Sequence, residues 1–538
     1  VAACASVIRA KSDQSRHYDL FNLLLKSADS VAPNRNLPMT LTLPRQKVDR
    51  PEIFWEFTRS LCPECKKVID AHVLLREDKV IMRKRCPEHG RFEALVFGDA
   101  ELYTQVQRYN KPGTLPLEFA TEVKNGCPHD CGLCPDHQQH ACLALIEVNQ
   151  ACNLDCPLCF ANSGTHLSHS GWELTFEQVD FMLDRFIEFE GSPEVVQFSG
   201  GEPTLHPRIL DFIELAQQKG IGYVMLNTNG IRIARDDKFL AGLQRLKPHV
   251  YLQFDGFEAE TNRIIRGKPD LIEDKLRALD RLAEADVRAV LVGAVERGVN
   301  EHEVGRIVEF GLRHPAVFGV SFQSAFRAQR HDIPSDPLTR ITIPDIVKGI
   351  EAQTNGLFTL SDFVPVPCCM PTCNFVTYAM LDGDAVTPIT RVLDIDLYLD
   401  YLKNRTMPGL NDDLLHTLER LWSSSAQVGS DRAAAEIAQI TNNQLPISNP
   451  QSPISKSRCA ACHSHLPLSQ HAPRDLARHV FMLNVRDFMD PWTFNVKNAM
   501  KCCVEFLTPD GRMIPFCSYN SAGYREQVAQ AMMGTTSL

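Results

Sequence analysis

The feature that most constrains this chain is a regular alternation of short apolar runs and amphipathic stretches. It begins just before a cysteine-rich loop and fills the Cys-free region between Cys159 and Cys368. Six runs have strand length, at 143–148, 194–199, 222–227, 250–255, 288–294 and 318–323. They are close to continuously apolar, as strands of a parallel sheet covered on both faces must be. Helical patterns separate them. Thr175 and Gln178 form a capping box ahead of Val179, Met182, Leu183, Phe186 and Ile187, which follow at helical spacing. Leu271, Leu276, Leu279 and Leu282 mark a later helix, and Val304, Ile307, Val308 and Leu312 another. Six βα units are fewer than the eight that close a full barrel, so the pattern predicts an α/β fold with a partial (β/α)6 barrel. Such sheets bind ligands at the carboxyl ends of their strands.

The rest of the chain is defined by its 19 cysteines among 538 residues. No apolar run is long enough to span a bilayer, and the start, which begins at Val1 as a fragment would, does not read as a secretory signal. A reducing, cytoplasmic setting is expected, in which clustered cysteines are metal ligands rather than disulfides. The net charge of −10 argues against a general nucleic-acid binder. Cys4 stands alone and reads as inert. The expected organisation is an N-terminal extension (1–50), a metal module (51–110), an auxiliary-cluster segment (111–142), the barrel (143–340) and a Cys-rich C-terminal region (341–538) with a polar linker at 423–456.

Cys62, Cys65, Cys86 and His89 form a Cys-x2-Cys…Cys-x2-His pattern across two strand-like arms with a turn at Glu77 and Asp78. That spacing suits tetrahedral zinc or a rubredoxin-like mononuclear iron. Cys127, Cys131 and Cys134, with Cys142 nearby, read as a fully ligated auxiliary [4Fe-4S] cluster, with His137 and His140 as replacement ligands. Eight cysteines remain towards the C-terminus, a pool that spacing does not partition. Cys373, Cys459, Cys462, Cys503 and Cys517 are the candidate ligands there, with Cys503 and Cys517 facing each other across a hairpin at Pro509-Asp510-Gly511.

The run ending at Val148 leads into Cys152-x3-Cys156-x2-Cys159-Phe160. Three thiolates on one loop can hold a cubane iron–sulfur cluster with one iron left open, because such a cluster takes four ligands. A zinc site, or a cluster completed from afar, is the alternative. The loop resembles the signature of the radical SAM superfamily. Ser199-Gly200-Gly201-Glu202-Pro203, Asn227-Thr228-Asn229-Gly230 and Gln253-Phe254-Asp255-Gly256 resemble that family's strand ends in order. The resemblance implies that S-adenosylmethionine (SAM) binds the open iron and is cleaved by one electron to a 5′-deoxyadenosyl radical, which abstracts a substrate hydrogen. It makes Cys152, Cys156 and Cys159 catalytic. It also makes Gly200, Gly201, Glu202, Pro203, Asn227, Asn229, Asp255 and Gln323 the candidate SAM-binding set, in which the glycines allow close backbone approach, Glu202 suits an ammonium group and the asparagines suit ribose hydroxyls.

From Cys62 to Tyr519 the chain resembles the tetraether-lipid synthase type, whose relatives include the class D, dihydropterin-methylating radical SAM enzymes. Cys86-Pro87-Glu88-His89-Gly90, Pro367-Cys368-Cys369-x-Pro371-x-Cys373 and Pro515-Phe516-Cys517-x-Tyr519-Asn520 carry that likeness. It implies a radical SAM enzyme that alkylates an unactivated carbon, by carbon–carbon coupling of lipid chains or by methylation. The alternatives are a methyltransferase acting on a pterin or other small molecule, a non-catalytic multi-cluster electron carrier, and a nucleic-acid-modifying enzyme. SAM, a small-molecule or lipid substrate, a ferredoxin- or flavodoxin-type reductant and a peripheral membrane contact are the expected partners. Tyr378 and Cys373 are candidate hydrogen donors.

Overall fold

The structure, a computed structural model, describes residues 51–392 and 479–534. The extension 1–50, the stretch 423–456, Cys4, Cys459 and Cys462 lie outside the described residues.

Strands β1 (Ile53–Leu61), β2 (Val68–Arg76), β3 (Lys79–Cys86) and β4 (Gly90–Phe97) form a separate antiparallel sheet in sequence order. The β2–β3 turn places Glu77 and Asp78 at φ 51° and 58°, the left-handed pair that a two-residue hairpin needs to match strand twist. This sheet packs into the main core through Val73, Val80, Met82 and Phe97, and polar bonds add to that contact. The buried Lys84 donates to Ser60 Oγ (2.9 Å) and to the Pro491 carbonyl (2.6 Å), and Thr58 donates to Asn495 (2.7 Å).

β5 (Leu143–Glu147) leads into a loop containing the two-residue β6 (Leu158–Cys159). The sheet continues through β7 (Val195–Ser199), β8 (Tyr223–Thr228), β9 (His249–Gln253), β10 (Ala289–Val295) and β11 (Val317–Ser324). β5 and β7–β11 pair in parallel in that order, and they fall where the six apolar runs predict them. The Thr175 capping box is present and opens the helix Phe176–Glu190. Val179, Met182, Leu183 and Phe186 bury one face of that helix in the main core. A second core, inside the barrel, holds Leu143, Leu145, Val195, Met225, Tyr251, Val290 and Phe318.

After β11 the chain forms β12 (Arg330–His331), which pairs antiparallel with β6 and so clamps the cysteine loop. The C-terminal region does not sit beside the barrel but continues its sheet at both ends. β13 (Val364–Pro365), β14 (Asn374–Asp382), β15 (Ala385–Pro388) and β16 (Val480–Arg486) extend the β11 side, with β16 parallel to β11. β17 (Val504–Leu507) lies parallel to β5 on the other side, and β18 (Met513–Pro515) forms with it the hairpin expected at Pro509-Asp510-Gly511. The result is a 12-stranded sheet. Among the described residues no helix is long and apolar enough to cross a membrane.

Candidate active site and metal centres

The three-cysteine loop hangs from the carboxyl end of β5 and is held at several points. Asp155 accepts from Thr165 N (2.8 Å) and Thr165 Oγ1 (2.6 Å). Arg330 on β12 donates to the Cys156 carbonyl (2.7 Å) and to the Ser163 carbonyl. Cys152 and Cys156 are buried and Cys159 is partly exposed. Burial pushes the Cys156 thiol up, and the guanidinium of Arg266 opposes that shift. The three thiolates of this loop match the ligand set of a [4Fe-4S] cluster that leaves one iron open.

The Gly-Gly-Glu segment after β7 packs directly under this loop. Gly201 N donates to Asn149 O and Glu202 N to Ala151 O, both at 2.9 Å. A Cβ on Gly201 would stand 2.2 Å from Ala151 O, and one on Gly200, at φ +146°, 2.5 Å from Asn149 O. The glycines thus serve backbone-to-backbone contact with the cysteine loop itself. Pro203 opens the short 3-10 turn that follows, Pro203–Leu205.

Three members of the expected SAM-binding set make internal side-chain hydrogen bonds. Glu202 is buried and accepts from Thr204 N, Thr204 Oγ1, Thr228 Oγ1 and Asn229 N at 2.6–3.1 Å. It ties the ends of β7 and β8 together. Asn229 donates to Asn153 of the cysteine loop (2.7 Å) and accepts from Ile231 N. Asp255, 0% exposed, holds Arg266 through two bonds of 2.6 and 2.7 Å. Each is a buried polar group that found its partner inside the protein. Asn227 and Gln323, by contrast, line a cavity of about 100 Å³ at the strand ends.

Sequence reasoning missed Arg266. It belongs to the helix Ala259–Arg266, faces both Asp255 and the Cys156 sulfur, and lines that cavity. Gln197, Tyr251 and Gln253 also line it, as do the aromatic rings of Phe160, Phe326, Phe488 and Phe516. Their signal was strand parity, since Gln197, Asn227 and Gln253 are inward positions of successive strands.

The remaining cysteines regroup. Spacing puts Cys142 with Cys127, Cys131 and Cys134, but the structure sets its sulfur with those of Cys368 and Cys503 within 4.8 Å. The cause is a long-range pairing. Leu143 opposes Val504 in the parallel β5–β17 ladder, and Cys142 N donates to Cys503 O (2.9 Å), so the residues preceding both strands are neighbours. Cys369 lies against Cys368 and Cys503 as well. Cys131 keeps Cys127 as its thiol neighbour. His137 is held by Glu505 (3.0 Å) and the Cys502 carbonyl (2.8 Å), while His140 bridges Glu190 (2.8 Å) and Cys142 (3.7 Å). Cys373, Cys503 and Cys517 line a second cavity, together with Cys369 and Cys502. Tyr378 is buried on β14 and does not line the strand-end cavity.

The ribbon site is compact. Cys62–His89, Cys86–His89 and Cys65–Cys86 stand 3.7, 3.4 and 3.9 Å apart, and all four ligand atoms lie within 4.8 Å of one another. A tetrahedral ion with sulfur ligands at about 2.3 Å needs ligand separations of about 3.8 Å. Burial raises the Cys86 thiol, but the His89 imidazole and backbone amides overcome it and bring it to about 6. The four residues fit a mononuclear metal.

A partial barrel carrying a three-cysteine loop on its first strand and glycines beneath it is the framework of a radical SAM enzyme. Residues 146–311 match the Radical SAM superfamily, and residues 54–98 match the HMPTM N-terminal zinc ribbon domain. The chain is 34% identical over 504 residues, covering 88% of its length and 94% of the relative, to 7,8-dihydro-6-hydroxymethylpterin dimethyltransferase of Methanocaldococcus jannaschii. It belongs to the radical SAM superfamily and, within it, to the family of that dimethyltransferase. It is also 30% identical over 165 residues to mycofactocin maturase MftC of Mycobacterium ulcerans, covering 30% of this chain and 42% of that protein. Among solved structures, Streptococcus suis SuiB bound to S-adenosylmethionine aligns over 41% of this chain and 45% of its own, with 14% identity and a TM-score of 0.32.

Proposed function

We propose that the chain methylates a pterin-type small molecule by radical SAM chemistry, replacing a carbon-bound hydrogen with a methyl group. The observation that carries this reading is the strand-end cavity. It is compact, lies next to the cluster loop and is lined by amides as well as aromatic rings. Coupling lipid chains calls for a long apolar channel, whereas a flat polar heterocycle suits convergent amides set in an aromatic pocket. The pterin named for the M. jannaschii relative supports the same choice.

Cys152, Cys156 and Cys159 would hold the [4Fe-4S] cluster, which supplies an electron to SAM and through it a hydrogen-abstracting radical. The protein's own groups do the positioning. Glu202, Thr204 and Thr228 fix the strand ends, and Asn229 fixes Asn153 of the loop. Arg266 sets a buried positive charge between Asp255 and the Cys156 sulfur. Phe160, Phe326, Phe488 and Phe516 help wall the cavity, which keeps water from a reactive carbon radical. Cys142, Cys368, Cys369 and Cys503 are the proposed ligands of one auxiliary site, and Cys373, Cys502 and Cys517 contribute to a neighbouring one. A ferredoxin- or flavodoxin-type protein is the proposed electron source.

The test is anaerobic incubation of cluster-reconstituted protein with SAM, a reductant and 7,8-dihydro-6-hydroxymethylpterin, followed by mass spectrometry. Methylated pterin with accompanying 5′-deoxyadenosine is the expected result. Formation of 5′-deoxyadenosine with the pterin unchanged, in a protein that couples lipid chains, would overturn the reading.

A further inference from the structure

Three neighbouring strands of the extended sheet set a polar row beside the strand-end cavity. In the parallel β11–β16 ladder Gln323 is the register partner of Arg486, and in the antiparallel β14–β16 ladder Asn374 is the partner of the same arginine. Register partners share a face of the sheet, so Gln323, Arg486 and Asn374 stand side by side. Asn484 is the next residue down β16 on that face, opposite Ser321 of β11. Strand parity puts the row on the inner face of the barrel, with Val480 and Met482 of the second core. Gln323 and Arg486 line the strand-end cavity, and Arg486 and Asn374 line the cysteine-lined cavity beyond it.

This row is not satisfied from within. Asn374 Oδ1 and both polar side-chain atoms of Asn484 are buried with no hydrogen-bond partner among the described residues, and the two residues are 4% and 1% exposed. Buried amides in that condition mark a place where a ligand or a water completes the bonding. Charge narrows the choice. The strand-end cavity is lined by two arginines, Arg266 and Arg486, and by no carboxylate. Arg266 is neutralised by Asp255. Asp487, which follows Arg486 and lines the cysteine-lined cavity, bonds to Ser324 Oγ and has the Arg340 charge near it. A guanidinium that is only 9% exposed, in a lining without carboxylates, favours an anionic group, which its planar fork can hold through two parallel N–H bonds.

We infer that Arg486, with Asn374 and Asn484 beside it, is a subsite for an anionic group on the methyl acceptor, a carboxylate or a phosphate, and that acidic pterin derivatives are the preferred substrates. The inference rests on the methyltransferase reading above and deepens it. All three residues lie on β14 and β16, so the C-terminal region, not the barrel, supplies this part of the specificity.

The experiment is anaerobic calorimetry on the full-length, cluster-reconstituted protein with three probes that share one ring system: 6-hydroxymethylpterin, its phosphate ester and pterin-6-carboxylate. The native protein should bind one of the two acidic probes about tenfold or more tighter than the alcohol, the worth of a charge-assisted hydrogen bond, and the tighter of the two tells phosphate from carboxylate. Arg486→Gln should erase that preference and Arg486→Lys should keep part of it, with SAM affinity and iron content unchanged in both. The comparison of probes on native protein stands even if a variant fails to fold. Equal affinity for all three probes, or a preference that survives Arg486→Gln, would overturn the inference and leave the methyltransferase reading standing. Loss of SAM affinity or of iron in Arg486→Gln would assign the arginine to SAM or to the cysteine-lined cavity and overturn the inference as well. Absence of binding by any of the probes would overturn the methyltransferase reading and the inference with it.

Discussion

Two loops in this chain are near copies in sequence, since both contain Asp-Cys-x-Leu-Cys, at Asp130–Cys134 and Asp155–Cys159. In each, the aspartate organises its loop, but in opposite directions. Asp155 reaches forward to Thr165, whereas Asp130 reaches back to accept from the backbone N–H groups of Lys124, Asn125 and Gly126 at 2.5–2.7 Å. The larger difference is what each loop rests on. The later one leaves the carboxyl end of β5, with Gly200 and Gly201 beneath it and the cavity beside it. The earlier one precedes β5 and packs on the C-terminal segment, where Tyr524 Oη donates to the Pro128 carbonyl (2.7 Å) and accepts from Cys131 N (3.1 Å). Thiol spacing makes a cluster loop possible; its position relative to a strand end decides whether that cluster can meet a substrate.

The sharpest way to break this comparison is paired substitution. Cys156→Ala should reduce SAM cleavage by at least about a hundredfold, whereas Cys131→Ala should lower the iron content yet retain cleavage; 5′-deoxyadenosine measured by chromatography reads both. Next in size is Arg266→Leu, which strands the fully buried Asp255. Leaving one partner of a buried pair alone costs about 3–5 kcal/mol, and urea unfolding should show a loss of that order. Gly201→Ala should raise the SAM dissociation constant by about tenfold, because its Cβ would collide with Ala151 O at 2.2 Å and displace the loop. The matching change in the other loop, Gly132→Ala, should leave SAM affinity unaltered. The smallest effect on SAM chemistry should come from Cys62→Ser. It should remove the ribbon's mononuclear metal by elemental analysis and lower the Tm, while folded protein still cleaves SAM.

What the sequence disclosed follows from the range of the interactions involved. The six barrel strands and the Thr175 capping box were legible because each is a local pattern of a few residues. The Cys152 loop and the ribbon ligands were legible for the same reason. Cys142 was misplaced because its partners are Cys368 and Cys503, more than 200 and more than 350 residues along the chain, the latter brought in by the β5–β17 pairing, which no local spacing encodes. Glu202, Asn229 and Asp255 sit at strand ends as expected, but the internal bonds their side chains make were not legible, because residue type alone does not reveal how a buried polar group is satisfied. Arg266 escaped notice because it lies on a helix after β9, outside any motif.

The most direct test of the account is the electron paramagnetic resonance spectrum of the reduced, reconstituted protein with and without SAM. It should be taken on two triple variants, one lacking Cys127, Cys131 and Cys134, the other lacking Cys152, Cys156 and Cys159. A SAM-dependent change that persists in the first and vanishes in the second is the predicted result. A change that vanishes in the first and persists in the second would place SAM at the other loop and contradict the account.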